Sequence, residues 1–248
     1  MGVVQLDPPA PWLWILLLPL VLGGVALTLG WVRRSAFLLG VPFGALVLFL
    51  GGLGGFGVLV GFFLLGTALT RLGYSAKEAK GVAEEQGGRR GSSHVLANCG
   101  MGLILLVVRF FASDGGNTEL DLLLWSGYCG SFAAAASDTA SSEIGQLYGR
   151  RTVSLRTFRA VPVGTEGAVS LEGLAGGLFA AVVIGFVGLA MGRLDPIGVA
   201  CVAGAGFLGN FIESLVGTWG RKLLPHGGLN FANTVVGAVL AMLFRAIS

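Results

Sequence analysis

Charge is what this sequence has least of. Only 12% of its 248 residues are Asp, Glu, Lys or Arg, against about 25% in soluble domains. A chain so poor in charge cannot coat a water-facing surface, which excludes an ordinary soluble fold. Histidine is almost missing, with two residues, and neither has a Ser or Asp relay at a revealing spacing. That leaves no arrangement for His- or Cys-based lipid phosphatase chemistry. The three cysteines, Cys99, Cys129 and Cys201, sit apart in apolar runs. With no CxxC they give neither a disulfide framework nor a zinc site. No basic residue precedes Arg33, so the N-terminus lacks the basic region of a signal peptide. A net charge of +3 is too small to suggest a nucleic-acid partner.

What is present is apolar surface and glycine. The chain is 54% hydrophobic with 43 glycines, and its mean hydropathy is +0.82. Small residues let membrane helices approach closely, and GxxxG spacings occur at Gly40/Gly44, Gly51/Gly55, Gly57/Gly61 and Gly173/Gly177. The chain reads as one integral-membrane domain, residues 1–248, all-α, a polytopic bundle of about eight spans, or seven. Apolar segments start near Pro11, Ala36, Gly54, His94, Leu120, Ser170, Pro196 and Leu229. The second and third are short and separated only by "GGLGG", which suits a tight hairpin or a re-entrant pair. Trp12, Trp31 and Trp219 fit an interfacial belt.

Basic residues fix an orientation, because cytoplasmic loops collect Lys and Arg. The odd-numbered loops carry Arg33 and Arg34, then Arg71, Lys77, Lys80, Arg89 and Arg90, then Arg150, Arg151, Arg156 and Arg159, then Arg221 and Lys222. These are 13 of the 16 basic residues. The fourth loop, "SDGGNTELD", is acidic. The expected topology has the N- and C-termini outside and the long basic loops in the cytoplasm.

In that topology the unusual polar groups converge. Asp138 and Glu143 end the fifth span, Glu213 lies late in the seventh, Asn98 early in the fourth, and Asn230 and Asn233 open the eighth. A carboxylate in an apolar helix costs roughly 2.5–3.5 kcal/mol on insertion scales and marks a cavity, a partner or an ion. The plainer alternatives are a helix that simply ends at Ser137 and, for Glu213, an ion pair with a loop arginine. Asp138 and Glu143 are about 140° apart on an ideal helix, so both reach one ion only if the helix breaks near Ser137. Carboxylates from Asp138, Glu143 and Glu213 beside arginines suit Mg²⁺ on a phosphate, since Mg²⁺ takes few protein carboxylates and fills its shell with water and phosphate oxygens.

The loops offer phosphate binders. "SAKEAKGVAEEQGGRRG" contains a capping box, Ser75 and Glu78, which predicts an interfacial helix from Ala76 to about Gln86. Arg89 and Arg90, flanked by glycines, can present guanidinium forks and backbone N–H groups to phosphate. Lys77 and Lys80 fit either a ligand or lipid headgroups. The fifth loop carries Arg150, Arg151, Arg156, Arg159 and the "PVGTEG" turn, where Thr165 and Glu166 either contact a nucleotide or metal or cap the next helix.

Taken in order, "GTALTRLGYSAKEAKGVAEEQGGRRGSSHVLAN", "SDTASSEIG", "VPVGTEGAVSLEG" and "GNFIESLVG" resemble the integral-membrane phytyl-phosphate kinase family of the vitamin E pathway, distant relatives of phytol and dolichol kinases. The likeness runs from about Gly61 to the end. The chain departs from the family pattern at Glu166 and Ala168, where "GTNGGV" is usual, and at Glu213-Ser214, where a "DS" pair is usual. The resemblance implies phosphoryl transfer from CTP to phytyl phosphate, with Mg²⁺, for tocopherol and phylloquinone synthesis in cyanobacterial or chloroplast membranes. In that reading the partners are the lipid membrane, an isoprenoid monophosphate and a nucleotide, and a homodimer is compatible with it. Asp138, Glu143 and Arg89 would be catalytic, and Asp138, Glu143 and Glu213 would hold the metal. Lys77 and Arg90 would neutralise the donor, Arg150, Arg151 and Arg159 would orient the acceptor, and Asn98, Thr165, Asn230 and Asn233 would line the polar end. The alternatives are a kinase for another prenyl alcohol or monophosphate, and a transporter of anionic substrates, which predicts midplane sites.

Overall fold

The structure, a computed structural model, describes residues 12–112, 118–219 and 226–248. Arg221 and Lys222, and the middle of the acidic fourth loop, lie outside the described residues. The long helices are α1 (Trp12–Thr28), α2 (Arg34–Arg71), α5 (Ser92–Ala112), α6 (Thr118–Tyr148), α7 (Leu171–Ala190), α8 (Pro196–Gly217) and α9 (His226–Ala246). Five of them are long and apolar enough to cross a membrane, and α1 is a shorter apolar helix. The chain is an all-α integral membrane protein.

Two of the expected segments are joined in α2, which is broken at Gly52 (φ 62, ψ −167). That backbone region is essentially open to glycine alone. The helix folds back there. A side chain on Gly44 would sit 3.3 Å from the Phe56 ring, twelve positions along, which a straight helix would hold far apart. Both ends of α2 accordingly meet the same neighbourhood. Arg71 Nη2 donates to the Gly30 carbonyl at 2.9 Å, and Arg33 N–H donates to the Arg90 carbonyl at 2.9 Å. The chain therefore reverses at "GGLGG", as both a tight hairpin and a re-entrant pair require.

The loop after α2 differs from expectation. Its helix, α3 (Tyr74–Ala79), has Gly73 at the N-cap with no side-chain cap, so the Ser75/Glu78 capping box does not form. The chain leaves the helix at Gly81, whose N–H bonds to Glu78. An irregular turn, α4 (Glu85–Gly88), follows. Lys77 and Lys80 turn instead to α6.

At the centre lies α6, about 46 Å long at 1.5 Å per residue. Tyr128, Cys129, Phe132 and Ala133–Ala136 are buried. Small residues let its neighbours close in. A side chain on Gly206 of α8 would fall 2.8 Å from Ala133, and one on Gly173 of α7 would fall 2.7 Å from the Ser141 carbonyl. Between α6 and α7 the chain forms a two-residue antiparallel pair, β1 (Val153–Ser154) and β2 (Ala168–Val169). Ser170 caps α7 by accepting from Gly173 N–H at 3.1 Å.

The loops read as basic gather at one end of the bundle. Val32 pairs with Arg90, Gly164 lies against Val82, and Gly167 against Thr218 and Ser214. At the other end Arg109 pairs with Asp121 at 2.6 Å, and Arg245 holds Asp195 through two bonds of 2.9 and 2.8 Å.

Candidate functional site

Where the basic loops meet the ends of α6, α8 and α9, they enclose a polar cavity of about 730 Å³. The size suits a ligand as large as a nucleotide. From α6 it takes Asp138, Ser141, Ser142 and Gly145, positions that recur on one helical face. From α8 it takes Glu213, and from the β1–β2 connection Thr165 and Glu166. The charges of Asp138 and Glu166 both act on Glu213. Arg33, Arg89 and Asn230 lie in the same lining. Arg33 Nε is buried and makes no hydrogen bond among the described residues, so it is a donor available to an acceptor.

The structure thus brings together Asp138, Glu213, Arg89, Thr165 and Asn230 of the residues expected at the site. It does not bring Glu143 there. Helix α6 runs unbroken to Tyr148, so the two acids stay on different faces, as an intact helix requires. Glu143 is buried and paired with Lys77. Fully buried itself, Lys77 also donates to the carbonyls of Thr70 at 2.8 Å and Leu69 at 3.3 Å. Lys80, three residues on, donates to Gln146 and Leu147 at 3.0 and 3.2 Å. Both lysines clasp the C-terminal end of α6, where cations suit the helix dipole.

Arg90 is turned away from the polar cavity. Its guanidinium lies 5.7 Å over the Phe62 ring, in room left by Gly66. Burial lowers its pKa from the ordinary value, against the opposing charges of Glu84 and Glu143. Asn98 and Asn233 are buried outside the lining, and Asn233 donates to the Ala134 carbonyl at 3.1 Å. Arg150, Arg151 and Arg159 are exposed beside the cavity and do not line it. Arg150 lies 3.9 Å from Glu172.

Sequence reasoning passed over Arg33, taken only as an orientation charge, and Ser141, whose hydroxyl accepts from Asn210 at 2.7 Å. It also set aside His94, which lines the cavity opposite Glu84. Gly91 N–H donates to His94 Nδ1 at 3.3 Å, and Nε2 stands 3.2 Å from Glu84 Oε1. With Nδ1 accepting, the ring proton is on Nε2 and is donated to Glu84.

Among the described residues no three His, Cys, Asp or Glu side chains form a ready cation cage. The donors that do converge are hard carboxylate oxygens, Asp138 and Glu213 with Glu166 nearby. They fit Mg²⁺, which needs only one or two carboxylates when phosphate oxygens complete its shell.

The fold and cavity define a class: a polytopic helical membrane protein with an acidic and basic pocket at one end of the bundle. Residues 17–224 match the family described as Integral membrane protein DUF92, and the chain belongs to that family. It is 36% identical over 199 residues to Protein VTE6, chloroplastic, of Arabidopsis thaliana, covering 78% of this chain. The chain spans 59% of the length of that plant relative. Over 242 residues it is 34% identical to the uncharacterized membrane protein sll0875 of Synechocystis, covering 94% of this chain and 90% of the relative. It is 36% identical over 189 residues to the uncharacterized membrane protein MJ0933 of Methanocaldococcus jannaschii, covering 75% of this chain and 74% of that one. No solved structure gives a significant match.

Proposed function

We propose that this protein transfers the terminal phosphoryl group of a nucleoside triphosphate, CTP by resemblance, to an isoprenoid monophosphate such as phytyl phosphate. The observation that carries the reading is the cavity in which Asp138, Glu213, Arg33 and Arg89 face one space beside the apolar bundle. The 36% identity to Protein VTE6 over 199 residues supports the motif resemblance to the vitamin E pathway family. The basic end of the bundle would face the cytoplasm by the charge rule.

Phosphoryl transfer asks for positioning and charge neutralisation more than for covalent chemistry. An oxygen of the acceptor monophosphate attacks the terminal phosphorus of the donor. The bond from that phosphorus to the bridging oxygen breaks, and the nucleoside diphosphate leaves. With a second pKa of about 6 the acceptor is already ionised near neutral pH, so no base is required. His94 agrees with this: one ring nitrogen accepts from Gly91 and the other faces Glu84, which leaves no lone pair for a substrate hydroxyl. When bound, Mg²⁺ would neutralise donor phosphate charge, held by Asp138 and Glu213. Arg33 and Arg89 would grip phosphate oxygens through charge-assisted bonds.

The test is a panel of CTP, ATP, UTP and GTP against phytyl, geranylgeranyl, farnesyl and polyprenyl monophosphates and their alcohols, using purified protein. Diphosphate product is expected from a monophosphate. Asp138→Asn and Glu213→Gln should each lower kcat by about a hundredfold or more, the scale of losing a transition-state electrostatic group. Full activity in both variants, or turnover of alcohols only, would sink the reading.

A further inference from the structure

Beside the polar cavity lies a second, apolar one of about 380 Å³, within the roughly 300–1,000 Å³ of ordinary ligand sites. Its walls come from α1 and both limbs of the α2 hairpin, with Pro19, Gly23, Phe37, Gly40, Phe56 and Phe63 among them. Leu22, Val25 and Leu64 also line it and are exposed on the flank of the bundle. The cavity therefore opens sideways, toward lipid. Its basic lining residues, Arg90 and His94, come from the segment that carries the polar site. His94 lines both cavities, and Arg33 and Arg89 of the polar wall are the chain neighbours of Val32 and Arg90 in the apolar one. A ligand that filled both would be hydrocarbon along most of its length and anionic at one end.

We infer that the cavity between α1 and the α2 hairpin holds the isoprenoid tail of the acceptor, with its phosphate at the Arg90 end and directed past His94 into the polar cavity. This rests on the kinase reading above. Arg90 then has a use that its turn away from the polar cavity left unexplained. It sits on the aromatic wall at Phe62, where its charge is poorly solvated and an anion is welcome. Gly40 is the position that reads the tail. A Cβ built there meets nothing within 4 Å, so an added side chain has open space beside the cavity that Gly40 lines. Gly23 and Gly44 differ, since a side chain there would lie 3.1 Å from Val41 and 3.2 Å from Pro19.

The experiment compares the wild type, Gly40→Ala and Gly40→Phe in detergent with twenty-carbon phytyl phosphate and ten-carbon geranyl phosphate. Gly40→Phe should raise the KM for phytyl phosphate about tenfold. For geranyl phosphate the rise should be much smaller, and Gly40→Ala should fall between the wild type and Gly40→Phe with phytyl phosphate. Equal effects of Gly40→Phe on the two substrates would overturn the inference. A second arm needs no variant: a prenyl monophosphate with a diazirine in its tail is photolysed on wild-type protein. Cross-links within α1 and α2 that phytyl phosphate displaces, and phosphatidylcholine does not, are expected. Cross-links elsewhere, or equal displacement by phosphatidylcholine, would assign the cavity to bulk lipid. Absence of any phosphoryl transfer by the wild type would sink the kinase reading alone, and the cross-linking arm would still decide the tail site.

Discussion

Lys77 gives its charge to Glu143, and the pair is better understood as a fastener than as part of the chemistry. It ties the loop after α2 to the end of α6, and the loop's next lysine, Lys80, reinforces the tie. Breaking a buried pair leaves one charge uncompensated, at roughly 3–5 kcal/mol. Lys77→Met is therefore expected to lower the unfolding temperature markedly, and Lys77→Met with Glu143→Leu to recover much of the loss. Thermal unfolding in a fixed detergent reads both, and an equal loss in the single and double variants would contradict the pairing. At this scale the sequence showed which acids were unusual, because a charge in apolar surroundings is conspicuous. It did not show which acid was already neutralised. The partner of Glu143 stands 66 positions away, and no local pattern connects them. Arg33 escaped for the opposite reason, since a loop arginine near a span looks like any other.

Elements carry their own consequences. The turn of α2 depends on Gly52, whose backbone conformation any side chain would strain by about 1–3 kcal/mol. Gly52→Ala should destabilise the fold by that amount in denaturant titration, and an unchanged midpoint would mean that the turn is made otherwise. Asp195 begins α8, accepting from Gly198 N–H at 2.7 Å and from Arg245. Burial pushes its pKa up, but the Gly198 bond and the Arg245 guanidinium outweigh this and hold it below the ordinary carboxylate value. A folded pKa below the unfolded one means stabilisation that is present above the unfolded value, about 4. It is lost as pH falls through the folded value. Stability should thus decline on acidification below about pH 4, and Asp195→Asn should flatten that part of the profile. The α2 hairpin was legible in "GGLGG". The interfacial helix expected from Ala76 to Gln86 is shorter, ending at Ala79, because a capping box describes local propensity while Lys77 and Lys80 answer to α6.

For the whole molecule, the prediction concerns sidedness. The clustering of the basic loops at one end and of Asp195 with Arg245 at the other makes the two ends distinguishable from outside a cell. Arg159→Cys and Ser248→Cys place thiols at exposed positions on opposite ends, and the native cysteines are buried. A membrane-impermeant maleimide on intact cells should label Ser248→Cys and spare Arg159→Cys until the membrane is opened. The reverse pattern would invert the proposed orientation. Composition sufficed for the all-α membrane architecture, since that follows from solvation alone. The split of the polar residues between cavity lining and packing did not, because it depends on how far each helix rotates against its neighbours.

The return of α2 at Gly52 makes its passage an even number of crossings, beginning and ending on the leaflet where Arg33 and Arg71 sit. Parity is therefore indifferent to it: excising residues 34–71 would leave every later helix pointing the way it does now.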